Sequence, residues 1–144
     1  MTNDGTYISI TRTFDASPEA VFEAWTNPAQ FSRWFGTQST NVKDVSMDLR
    51  VGGAWSARMI LGDGTEIGWH GSYLEVEAPH RLVLSLSDRP GDQFERVTVN
   101  LKEVADGTEM TFTQAGGNMP PENYARAEEG WRSFFDDLSK GLSA

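Results

Sequence analysis

The feature that most constrains this chain is one long amphipathic helix, Pro120 to Leu142, placed after a run of strand-like segments. Tyr124, Ala127, Trp131, Phe134, Phe135, Leu138 and Leu142 recur at helical spacing and, at about 100° per residue, fall in one narrow arc. That stripe must be covered, and the preceding strands offer an apolar face to cover it. An aromatic-rich helix across a curved sheet encloses a core and often a cavity, so a ligand-binding function is expected between them.

Thr6 to Asp15 reads as a first strand in which Ile8, Ile10 and Phe14 share parity with Arg12. Two short helices follow, and each opens with an N-cap oxygen before a proline, Ser17-Pro18 and Asn27-Pro28. Val21, Phe22 and Trp25 face inward from the first, Phe31, Trp34 and Phe35 from the second, and Gly36 stops it. Strands are expected over Asn41 to Asp48, Ala54 to Leu61, Thr65 to Glu77, Arg81 to Ser87, Gln93 to Ala105 and Thr108 to Ala115. The turns between them, Gly52-Gly53, Asp63-Gly64, Pro79-His80, Pro90-Gly91 and Asp106-Gly107, give an antiparallel meander. Asp-Gly-Thr triplets at Asp4, Asp63 and Asp106 mark turns rather than a repeat. The expected class is α+β: a bent antiparallel sheet of about seven strands gripping the terminal helix, with two short helices after the first strand.

With 144 residues the chain suits a single domain, residues 1–144. No apolar run approaches the roughly 20 residues that cross a bilayer, and the start at Met1 lacks the pattern of a signal peptide, so a cytoplasmic location is expected. The absence of cysteine excludes disulfides, thiol chemistry and thiolate metal sites. A net charge of −9 repels a phosphate backbone, which argues against nucleic acid and anionic membranes as partners.

Val21-Phe22-Glu23-Ala24-Trp25-Thr26-Asn27-Pro28, Arg33-Trp34-Phe35-Gly36, Asp48-Leu49-Arg50-Val51-Gly52-Gly53-Ala54-Trp55, Gly71-Ser72-Tyr73-Leu74-Glu75-Val76, Arg81-Leu82-Val83, Asp106-Gly107-Thr108 and Glu129-Gly130-Trp131 form an ordered series of motifs. Together they resemble the family named for activators of the heat-shock protein 90 ATPase, within the START-like or SRPBCC superfamily, from about Ile8 to Leu142. The resemblance implies a helix-grip fold with a cavity; superfamily members include lipid carriers, hormone receptors, polyketide cyclases and aromatases. The eukaryotic-type activator also carries a separate N-terminal domain, for which 144 residues leave no room.

No constellation argues strongly for catalysis. There is no Gly-x-Ser-x-Gly, and His70 and His80 do not have a metal-ligand spacing, so no catalytic set, metal or cofactor is expected. His70, beside Trp69 in a strand that could line the cavity, is a candidate acid or base, or else a hydrogen-bonded strand residue. Glu122 with Arg126, Glu128 with Arg132 and Asp136 with Lys140 are spaced as helix-supporting ion pairs. By strand parity Arg12 points inward, toward a carboxylate or an anionic ligand, unless a bulge turns it out. Gln114 continues the inward face of Met110 and Phe112 and could orient a ligand or cap the helix. Gly130 inside the long helix costs about 1 kcal/mol relative to alanine. Close approach of the sheet backbone is the favoured explanation and room for a ligand beside Trp131 the other.

The cavity set is therefore Arg12, Trp55, Met59, Trp69, His70, Phe112 and Gln114 with Tyr124, Trp131 and Phe135. Three functions compete. The leading one is a small hydrophobic or aromatic molecule held between the terminal helix and the sheet. The second is a co-chaperone-like interaction with a heat-shock protein 90 type ATPase, and the third a cyclase- or aromatase-like enzyme. Monomer and homodimer are equally compatible with this composition.

Overall fold

A computed structural model describes residues 7–35, 41–87, 94–116 and 120–143. The elements are β1 (Tyr7–Phe14), α1 (Pro18–Thr26), α2 (Pro28–Trp34), β2 (Asn41–Met47), β3 (Ala54–Ile60), β4 (Glu66–Glu77), β5 (Arg81–Leu86), β6 (Glu95–Val104), β7 (Gly107–Ala115) and α3 (Pro121–Ser143). All seven strands pair antiparallel in one curved sheet, ordered β1-β7-β6-β5-β4-β3-β2. This is the helix-grip fold that the order of elements implies.

The local signals act as expected. Ser17 Oγ accepts from the Ala20 amide at 3.2 Å, and Asn27 Oδ1 accepts from Ala29 and Gln30 at 3.0 and 3.2 Å, so each cap satisfies donors that the helix start leaves open. Helix α2 closes on the Phe35 amide donating to Phe31 O at 3.0 Å. The expected stop at Gly36, the Pro90-Gly91 turn, the Gln93 strand start and the Asp4 triplet lie outside the described residues. At the Asp106-Gly107 turn, Gly107 has φ +139°, and a Cβ there would lie 2.0 Å from Phe14 O. Only glycine lets the β6–β7 hairpin approach the end of β1 so closely.

Helix α3 lies against β1 and the two short helices, with Tyr124, Trp131, Phe135 and Leu138 buried and Ala127, Phe134 and Leu142 half-buried. The β1 register runs unbroken from Tyr7 to Phe14, so Arg12 keeps its inward parity. Its guanidinium reaches Asp136 Oδ1 of α3 at 2.6 Å, a partly exposed pair with the arginine carbon 5.7 Å from the Phe14 ring. Asp136 is thereby withdrawn from the expected pair with Lys140, which instead lies 4.0 Å from Asp137. Glu128 and Arg132 do pair, at 3.0 Å, whereas Glu122 and Arg126 form no ion pair among the described residues.

Gly130 corrects an expectation. A Cβ built there meets nothing within 4 Å, so no sheet backbone presses on it. Gly130→Ala is expected to stabilise the protein by up to about 1 kcal/mol, because helix propensity improves without a clash. Chemical denaturation measures this directly; a destabilised variant would show that the position needs its lack of side chain.

Candidate functional site

The concave face of the sheet, α1–α2 and α3 enclose an interior filled largely by aromatic rings. Phe35, buried at the end of α2, is its hub. Its ring centroid lies 4.5 Å from Phe31, 5.8 Å from both Trp69 and Trp131, and 5.6 Å from Phe134. Trp25 of α1 packs edge-on against Trp34 at 4.7 Å and stacks near Trp131 and Phe112, each at 6.2 Å. Phe112 meets Trp131 at 4.6 Å and Phe135 at 5.2 Å, which ties β7 to α3. Pairs at these separations add about 0.5–1.5 kcal/mol each beyond the area they bury.

Between these rings a cavity of about 10 Å³ remains. The helices contribute Trp25, Phe31 and Trp131 to its wall, with Phe35 at the end of α2; the sheet contributes Met47, Trp55, Tyr73, Leu84 and Leu86. Such a space holds at most about one water, and its apolar wall offers a water few partners. Burial, helped by the charge of Asp48, pushes the Tyr73 phenol well above its ordinary value, so it stays neutral.

Trp55 is seated by a backbone device. Its Nε1 donates across β4 to Ser85 O at 2.8 Å, and Gly71 stands between them. A Cβ on Gly71 would lie 1.8 Å from Ser85 O and 2.8 Å from Trp55 Nε1, so glycine at this position lets the indole cross its own neighbouring strand.

The interior also has a polar wall. Trp131 Nε1 donates to Gln114 Oε1 at 2.8 Å, and Gln114 Nε2 donates to Glu95 Oε1 at 3.3 Å. Gln114 and Glu95 are both buried on the inner face of the sheet, beside Val97, Phe112 and Leu86. Gln114 thus orients Trp131 rather than capping the helix.

Of the residues expected from sequence to form the site, Trp55 and Trp131 line the cavity, and Phe112 and Phe135 form the layer behind it. Trp69 backs Phe35 from β4, while Met59 and Tyr124 are buried in the core without lining this cavity. Arg12 does not line the cavity; it is partly exposed and held by Asp136 of α3. His70 does not join them. Successive strand residues face opposite sides, and with Trp69 turned inward the His70 ring meets Phe94 edge-on at 5.4 Å on the outer face. Phe35, Trp25, Tyr73 and Glu95 were not in the expected set. Glu95 had a legible signal, since it shares parity with Val97, Val99 and Leu101.

Among the described residues, no group of three or more His, Asp or Glu could hold a metal, and no helix is long and apolar enough to cross a membrane. A search of curated proteins finds no match. Among solved structures, a protein from Nitrosomonas europaea is 22% identical with a TM-score of 0.85, covering 99% of this chain and 97% of that one. One from Chromobacterium violaceum is 24% identical with a TM-score of 0.87, covering 96% and 98%. An AHSA1-like protein from Aeromonas hydrophila is 28% identical with a TM-score of 0.79, covering 93% and 90%. The first two likenesses establish the fold alone. The match that carries further is to a sequence family spanning residues 15–143, from the start of α1 through α3, and by it the chain belongs to the Activator of Hsp90 ATPase homolog 1-like proteins.

Proposed function

We propose that the protein binds a small hydrophobic or aromatic molecule between α3 and the concave face of the sheet. One observation supports this reading above the others. Trp34 Nε1 donates to Ala24 O, Trp55 Nε1 to Ser85 O and Trp131 Nε1 to Gln114 Oε1. The buried Nε1 groups of Trp25 and Trp69 have no acceptor. Buried donors are nearly always satisfied, and each unsatisfied one costs about 1–3 kcal/mol. The rings that carry these donors flank the Phe35–Trp131 pair, Trp69 at 5.8 Å from Phe35 and Trp25 at 6.2 Å from Trp131, where aromatic rings occupy space that a flat ligand would take. Binding then requires Phe35 and its neighbours to yield, exchanging ring contacts within the protein for contacts with the ligand.

A thermal-shift screen against lipids, flavonoids, polyketides and simpler aromatics tests the reading. A saturable rise in melting temperature with matching tryptophan quenching is expected, since a ligand that prefers the folded state stabilises it. A flat response from well-folded protein would contradict it.

A second reading, docking on a heat-shock protein 90 type ATPase, is favoured by a separate observation. Leu49, Val51 and Leu74 are the exposed large apolar side chains among the described residues, at 40%, 64% and 40% exposure. The loop carrying Leu49 and Val51 bonds through Gly52 and Gly53 to Tyr73, the chain neighbour of Leu74. A flat ligand screen together with direct binding to such a chaperone would select this reading. The cyclase-like alternative has lost its acid–base candidate to the outer face.

A further inference from the structure

We infer that the interior site selects neutral molecules bearing a carbonyl-type hydrogen-bond acceptor, and discriminates against carboxylates. This rests on the proposed binding role and specifies its chemistry. Among the described residues the buried side-chain polar atoms without a partner are Trp25 Nε1 and Trp69 Nε1, both donors and donors only, so the complementary ligand group is an acceptor. An anion would also accept from an indole, but the surroundings oppose it. Among the described residues the one buried charged side chain is Glu95, linked through Gln114 to Trp131, which lines the same cavity as Trp25. Arg12, the inward-facing cation of β1, is already engaged by Asp136 at 2.6 Å. A carboxylate brought into this interior would be desolvated without a cationic partner, near another carboxyl group, in a chain of net charge −9. A ketone, quinone, ester or lactone brings the acceptor without the charge. The site is thereby distinguished from one built for free fatty acids.

The test uses three probes of one shape: 2-acetonaphthone, 2-ethylnaphthalene and 2-naphthoate, with dissociation constants from calorimetry. The full chain is expected to bind the ketone at least about fivefold more tightly than the hydrocarbon, the worth of one net hydrogen bond, and the naphthoate more weakly than the ketone. Trp25→Phe and Trp69→Phe each keep a ring and remove one N–H, and the ketone-to-hydrocarbon ratio is expected to fall toward one in at least one of them. Should one variant fail to fold, the other and the wild-type series still decide. Equal affinity for ketone and hydrocarbon in the wild type, tightest binding of the naphthoate, or a ratio unchanged in both variants would overturn the inference while leaving a binding role standing. Failure of all three probes to bind would overturn the binding role along with it.

Discussion

Trp131→Ala is expected to destabilise the protein by about 3–5 kcal/mol, the usual cost of deleting a large buried aromatic. Trp131 is 6% exposed, and its ring touches Phe112, Phe134, Phe135, Phe35 and Trp25 at centroid distances of 4.6 to 6.2 Å. Its removal opens a void where α1, α2, β7 and α3 meet. It also takes away the donor that satisfies Gln114 Oε1, leaving a buried amide oxygen short of a partner. Trp131→Phe separates the two effects, keeping most of the ring contacts while losing the hydrogen bond, and should cost roughly 1–3 kcal/mol. Urea denaturation midpoints of the two variants measure both quantities. An unchanged midpoint for Trp131→Ala would mean that α3 does not grip the sheet through this residue.

Gly71→Ala is expected to cost roughly 2–3 kcal/mol although it adds one methyl group. The cause is position. A Cβ 1.8 Å from Ser85 O cannot be accommodated by a rotamer change, so β4 or β5 has to move and the Trp55–Ser85 hydrogen bond is broken or lengthened. The same strand provides its own control: a Cβ on Gly68 meets nothing within 4 Å, and Gly68→Ala should leave stability within about 0.5 kcal/mol of the wild type. Comparable midpoints for the two variants would remove the assigned role of Gly71 in seating Trp55.

The parts of this fold that were legible in the sequence are those written locally. The stripe on α3, the Ser17-Pro18 and Asn27-Pro28 caps and the alternation in β1 and β7 each lie within one element, where periodicity and capping chemistry act alone. Arg12 was readable as inward-facing, yet its partner Asp136 is 124 residues away, and only the crossing of α3 over β1 brings the two together. The helix spacing had assigned Asp136 to Lys140. Whether the cavity was open depended on how rings from five elements share one volume, and Phe35 decides it from the end of a short helix. His70 shows the opposite failing: the alternation that turns Trp69 inward already excluded its neighbour from the same wall. Close approach of backbone, expected at Gly130, occurs instead at Gly71 and Gly107, because strand pairing and hairpin docking bring main chains into contact, whereas the half-buried flank of α3 at Gly130 meets none.

A ligand bound as proposed enters the aromatic interior rather than settling on the surface. The five tryptophans provide five indole N–H signals in a ¹⁵N-correlated NMR spectrum, and titration with 2-acetonaphthone reads them one by one. The signals of Trp25, Trp69 and Trp131 are expected to move together and saturate at one ligand per chain. A titration that leaves these three unmoved, or shifts only amides near Leu49, Val51 and Leu74, would contradict it.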